Sequence, residues 1–129
     1  MKKLMNKKGF TLMEMLIVVA IIVILVAIAI PTFSSSLDDA KKATDDANLR
    51  GAKGIAEIAD MTADGWEAII GGELTENQAY VLTYDIEKGT FVETYNGEAY
   101  GQSSDNKGEV IKVTVTNGTI TTEVDWVAK

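Results

Sequence analysis

Lys7-Lys8-Gly9-Phe10-Thr11-Leu12-Met13-Glu14 leads into an apolar run, Met15 to Ile30, that carries no further charge. From Phe10 to Ile30 there are 21 residues and one carboxylate, Glu14. As a helix this stretch spans roughly 31 Å, about one hydrocarbon core. Val and Ile would suit a strand in water. In lipid a single segment can satisfy its own backbone only as a helix. Lys2, Lys3, Lys7 and Lys8 precede the run, and the first charges after it are Asp38 and Asp39. The positive-inside rule therefore puts the N-terminus in the cytoplasm and the remainder outside.

The charge balance separates the two ends. The chain has 129 residues and a net charge of −7. Its four leading lysines contribute +4, which leaves 8 basic against 19 acidic residues, or −11, for the rest. No basic face for nucleic acid is expected on such a remainder, nor attraction to anionic lipid. With about 33 residues assigned to leader and membrane helix, about 96 remain, enough for one small domain. Cysteine and histidine are both absent. Metal sites built on them, disulfides, and Ser-His-Asp or Cys-His nucleophiles are therefore excluded. No carboxylate pair stands out, so no enzyme activity, cofactor or metal is expected.

Three readings of the N-terminus compete. A secretory signal has a shorter apolar stretch and a small-residue cleavage site; Ser34-Ser35-Ser36 matches that poorly. A plain membrane anchor leaves Gly9-Phe10 and Glu14 without a purpose. The third reading accounts for all of them. The basic leader, Gly9, Phe10, Thr11-Leu12, Glu14, the apolar run and Pro31 together resemble the class III signal of type IV prepilins and pseudopilins. The resemblance is close over residues 2 to 35 and holds only in outline beyond. The short leader looks like the type IVa class; Met13 and Met15 stand where Val or Leu is usual.

The resemblance implies cleavage between Gly9 and Phe10 by a prepilin peptidase and N-methylation of Phe10. It also implies a membrane-bound precursor, then assembly by machinery with a cytoplasmic ATPase into a helical homo-oligomer on the cell surface. Adhesion, motility or biofilm formation would follow. A pseudopilin of a type II secretion or competence DNA-uptake system carries the same first 35 residues and remains the alternative. Family pilins often close a C-terminal loop with a disulfide. Its absence here is familiar in pilins of Gram-positive bacteria and points weakly to such a source.

An acidic residue at the centre of a membrane helix costs about 2.5–3.5 kcal/mol, and less near its end. In a fibre, Glu14 could pair with the Phe10 amine of an adjacent subunit and pin the register; unpartnered, it would snorkel to the interface. Pro31 either ends the helix or kinks it. Leu37, Ala40, Thr44, Ala47, Gly51, Ile55, Ile58 and Ala59 recur at intervals of three or four and favour a kink in one helix from about Phe10 to about Ala59. Gly51 and Gly54 could break that helix or let it approach a sheet.

The expected fold is α+β and pilin-like, a long kinked N-terminal helix packed against a small antiparallel sheet. Its parts are a leader at 1–9, a membrane and fibre-core helix at 10–33, and a soluble headgroup at 34–129. Within the headgroup the helix runs to about 59, an αβ-loop spans about 60–78, and the sheet about 79–126. Trp66 is expected in the core, within one or two helical turns at 66–70. Strands are expected at 79–85, 91–95, 110–116 and 119–126, as two hairpins in a meander, with Asn117-Gly118 as a type I′ turn. That turn also explains the Asn117-Gly118-Thr119 glycosylation pattern. Ser103-Ser104-Asp105-Asn106 with Glu109 lacks the spacing of a calcium loop. The aromatic residues Tyr80, Tyr84, Phe91, Tyr95 and Tyr100 read as sheet packing.

Overall fold

The computed structural model describes residues 9–129; the leader lysines Lys2, Lys3, Lys7 and Lys8 lie outside the described residues. Helix α1 runs from Leu12 to Met61, with Pro31 inside it rather than at its end. It also continues through Gly51 and Gly54. A second helix, α2, spans Gly65–Ile70, and the strands are β1 Ala79–Asp85, β2 Thr90–Val92, β3 Glu109–Thr116 and β4 Thr119–Ala128. Two compact units divide at Leu37 and Asp38. The first is the apolar part of α1, and the second holds the rest of α1 and the sheet.

Within the second unit, Ala52, Ala56 and Ala59 of α1 join one core with Trp66, Leu82, Tyr84, Phe91, Ile111, Val113 and Val115. Alanines let the helix axis approach the sheet, and the aromatic rings fill the remaining space. Trp66 and Tyr84 lie 5.9 and 5.4 Å from Phe91, in tilted and edge-on arrangements. Gly65 starts α2 where any Cβ would collide with the Ala59 backbone. Glycine is what allows the chain to turn so tightly off the end of α1.

The face of α1 that packs is not the one expected from its periodicity. Ile55 and Ala59 do lie on the core side, but Leu37, Ala40, Thr44, Ala47, Gly51 and Ile58 are exposed. The buried positions are Asp45, Ala52, Ala56 and Ala59. This is a rotation of about one residue, some 100° around the helix. Alanines occur on both faces, so hydrophobicity discriminates poorly. A carboxylate such as Asp45 is costly to bury without partners. Here it is hydrogen-bonded from a distant loop.

The sheet order is β2-β1-β3-β4, antiparallel throughout. It contains the two expected hairpins, but they join through β1 and β3, which corrects the meander. β2 has three residues rather than five. Asn117 and Gly118 have φ of 53° and 76°, the left-handed pair that a type I′ turn needs. The chain from β2 must then pass the end of β1 to reach β3. There Tyr100 takes a place in the ladder. β1–β3 pairing ends at Thr83↔Lys112. At the next position the buried Tyr100 hydroxyl donates to the Tyr84 carbonyl at 2.6 Å and accepts from the Ile111 N–H at 2.9 Å. The ring packs edge-on against Tyr95 and Trp126. Burial pushes the Tyr100 hydroxyl up to about 12 from an ordinary 10.0, although the Ile111 N–H opposes the rise.

Tyr100→Phe removes both bonds and strands two buried backbone groups. It should destabilise the headgroup by about 1–3 kcal/mol in denaturant unfolding. Because the folded value lies above the unfolded one, the stabilisation tied to the neutral hydroxyl is present below pH 10 and is lost as pH rises toward about 12. Phenylalanine at this position should remove that part of the alkaline loss.

Candidate functional site

The apolar segment presents its side chains outward. Phe10, Leu12, Leu16, Ile17, Ile21, Ile24, Ile28 and Phe33 are all exposed, and this part of α1 is long and apolar enough to cross a membrane. Exposed apolar surface on this scale needs lipid or protein to cover it. Gly9 and Phe10 precede the helix and are exposed. Pro31 cannot donate to the carbonyl four residues earlier. One residue on, the Thr32 hydroxyl donates to the Ile28 carbonyl at 3.2 Å.

At the head of α1 the chain closes on itself. Thr11 N–H donates to Glu14 Oε2 at 2.8 Å, and Glu14 N–H donates to Thr11 Oγ1 at 3.2 Å. Thr11 is the N-cap and Glu14 the third helical residue, so the two form a reciprocal capping box. Two of the donors that every helix leaves open at its start are thereby satisfied, and the carboxylate also faces the positive end of the helix dipole. Glu14 Oε1 makes no hydrogen bond among the described residues. The signal for this role, Thr-x-x-Glu before an apolar run, stands in the sequence.

A second carboxylate organises the headgroup. Asp45 is fully buried and accepts hydrogen bonds from Gln102 N–H at 2.9 Å, Ser103 N–H at 2.8 Å and Asn106 Nδ2 at 3.2 Å. One side chain of α1 thus ties down the loop between β2 and β3, 57 to 61 residues away. Burial pushes the Asp45 carboxyl up, but the Ser103 hydroxyl, the loop amides and Asn106 outweigh it and hold the group below the ordinary 3.8. The Ser103 hydroxyl stands beside the carboxylate yet forms no hydrogen bond of normal geometry. The two amides and Asn106 therefore carry the attachment. Asp38 extends the contact, bonded to Lys42 at 3.3 Å and to Ser104 N–H at 3.4 Å. Its carboxyl is lowered by Lys42 first and Ser104 second. At the other end of this half-helix, Asp60 Oδ1 accepts from the Trp66 indole at 3.3 Å and from Ile120 N–H at 3.0 Å.

Residues 4–30 match a family model described as the prokaryotic N-terminal methylation motif. The chain is 46% identical over 61 residues to the type IV narrow pilus major component PilA5 of Thermus thermophilus, a match covering 47% of this chain and 53% of that protein. It is 37% identical over 76 residues to a fimbrial protein of Moraxella nonliquefaciens, covering 50% and 49%. The chain thus spans about half the length of the curated relatives it matches. No solved structure matches. The motif and both names support the type IV pilin family. Neither relative bears on a Gram-positive source.

Asp45→Ala should free residues 102–106. Amide exchange at Gln102 and Ser103 should accelerate, and the headgroup should lose about 1.5–3 kcal/mol, the range for hydrogen bonds to a charged group. The carboxyl is depressed in the fold, so its stabilisation is complete above about pH 4 and is lost as pH falls below the ordinary 3.8. An acid titration of unfolding on wild type and Asp45→Asn should show that loss in wild type alone.

Proposed function

We propose that this chain is the precursor of a type IV pilin, a structural subunit that polymerises through its N-terminal helix into a surface filament. The observation that carries this reading is the exposed apolar face of α1 behind Gly9-Phe10 and a single carboxylate. Cleavage between Gly9 and Phe10 by a prepilin peptidase at the cytoplasmic face, with N-methylation of Phe10, would make Glu14 the fifth residue of the mature chain. The leader is then residues 1–9, the membrane and fibre-core helix 10–33, and the exported headgroup 34–129. The names of the relatives, a pilus major component and a fimbrial protein, support a structural role.

In the membrane the helix satisfies its own backbone, and lipid covers its side chains. In a filament, helices of other copies replace the lipid, so apolar cover is exchanged rather than lost. The decisive change is at Glu14. Its cap to Thr11 uses Oε2 and leaves Oε1 for the Phe10 amine of an adjacent subunit. The cap lowers the cost of holding the carboxylate near lipid, and the ion pair fixes the register when the subunit docks. Extraction into the fibre falls to assembly machinery driven by a cytoplasmic ATPase. Pro31, which has no N–H to donate, is the point at which this helix would bend. Adhesion, surface motility and biofilm formation are the roles such a filament would serve.

Mass spectrometry of the mature chain should find a start at N-methyl-Phe10; an intact leader, or a cut near Ser34, overturns the reading. Gly9→Val should leave the leader attached. Glu14→Lys places like charges together in an apolar core and should reduce filament yield about 100-fold, while leaving processing at Gly9 intact. Long surface filaments containing the protein support the pilin reading. Their absence, together with loss of secretion or DNA uptake on deletion, moves the assignment to a pseudopilin.

A further inference from the structure

Two asparagines in the headgroup are followed by glycine, Asn96-Gly97 and Asn117-Gly118. An asparagine before glycine is chemically fragile, because the next backbone nitrogen can reach the side-chain carbonyl without steric hindrance. Whether it does so depends on how freely the local backbone moves and on whether either group is already held. The two sites differ in whether the reacting groups are held.

Asn96 is exposed and lies outside every helix and strand. Neither its side chain nor the Gly97 N–H makes a hydrogen bond among the described residues, although the Tyr95 hydroxyl donates to the Glu98 carbonyl at 2.9 Å across the pair. Asn117 sits at the tip of the β3–β4 hairpin, closed by the Thr116↔Thr119 pair. Its Oδ1 accepts from the Asn77 N–H at 2.7 Å, and its left-handed φ of 53° is part of the turn. Bringing Gly118 nitrogen onto the Asn117 side chain requires opening that hairpin end and breaking the Asn77 contact.

We propose that Asn96 is a site of spontaneous deamidation in the folded chain, and that the hairpin withholds the same reaction from Asn117. The Gly97 nitrogen, losing its proton to solvent, bonds to Asn96 Cγ. The bond from Cγ to the side-chain nitrogen breaks, and ammonia leaves with a proton from solvent. Water then adds across one of the two imide carbonyls of the five-membered ring. Opening on one side yields aspartate, and on the other iso-aspartate, with one extra methylene in the backbone.

Either product places a new carboxylate in a cleft of about 370 Å³ between the β1–β2 turn and residues 94–100. Asp85, Glu87 and Glu98 already crowd it: burial first, then these three charges, raise the Tyr95 hydroxyl above its ordinary 10.0. The iso-aspartate form also lengthens the chain beside Gly97, over which the Tyr95 side chain is folded. The Tyr95–Tyr100 contact, 6.0 Å between centroids, would have to adjust. The reaction therefore adds charge and local rearrangement at one exposed loop.

The test is a time course of the full chain in detergent micelles, in warm, mildly alkaline buffer, with peptide mass spectrometry at both asparagines. The same chain in concentrated urea is the control. Asn96 should convert about tenfold or more faster than Asn117 in the folded chain, since closing the local opening by about 1.4 kcal/mol already gives that factor. In urea the ratio should approach one. Asn96→Gln should remove most of the acidic species seen on isoelectric focusing. Comparable rates at the two sites in the folded chain overturn the proposal. So does protection of Asn96 by folding as great as that of Asn117.

Discussion

A polar group withdrawn from water must find a partner, and Asp45, the buried carboxylate of the long helix, follows that rule, while two exposed acids on the same helix make comparable bonds. Glu14 stands at the head of an apolar helix and is bound to Thr11. Asp45 is buried under a loop and bound to that loop's amides. Asp60 joins the Trp66 indole to the backbone of β4. Each acid lies on α1, and each links the helix to something that would otherwise have open donors. Asp45 and Asp60 fasten distant segments to the helix by charge-assisted hydrogen bonds, while Glu14 closes the helix start itself.

This matters because the headgroup has no covalent staple. With about 96 residues outside the leader and apolar helix, and no cysteine, it must hold its long connections by packing and polar contacts. The loop between β2 and β3 bears the greatest demand, since it must pass the end of β1. Tyr100 anchors its middle in the sheet ladder, and Asp45 anchors the following residues to α1. Both anchors act mainly through hydrogen bonds to backbone atoms, with the Asn106 side-chain amide in addition at Asp45. They therefore restrain the loop's course without dictating most of its side chains, and the stretch around Asn96 is held locally, by the Tyr95 hydroxyl on the Glu98 carbonyl.

Much of this was legible in the chain. The length and charge pattern of Phe10 to Ile30 required a helix in lipid. Ala79 to Asp85 and Asn117-Gly118 marked a strand and a turn by β-branched content and left-handed propensity. Thr11 and Glu14 spelled a capping box that periodicity arguments ignore, because its signal lies in hydrogen-bonding atoms rather than in hydrophobicity. The packed face of α1 was misread for a related reason. Alanine marks a core position weakly, and a carboxylate such as Asp45 belongs to the packed face only because partners 57 residues away reach it.

The sequence by itself determined the apolar helix, its carboxylate, the candidate processing site and the strand content. These depend on local pattern and on solvent, which every short window of residues experiences directly. Only the tertiary structure decided which face of α1 is buried, that β3 pairs with β1, and that Tyr100 completes their ladder. Those choices rest on partners far apart in the chain. A buried acid or hydroxyl is tolerable only where such a partner arrives, and no local window contains it.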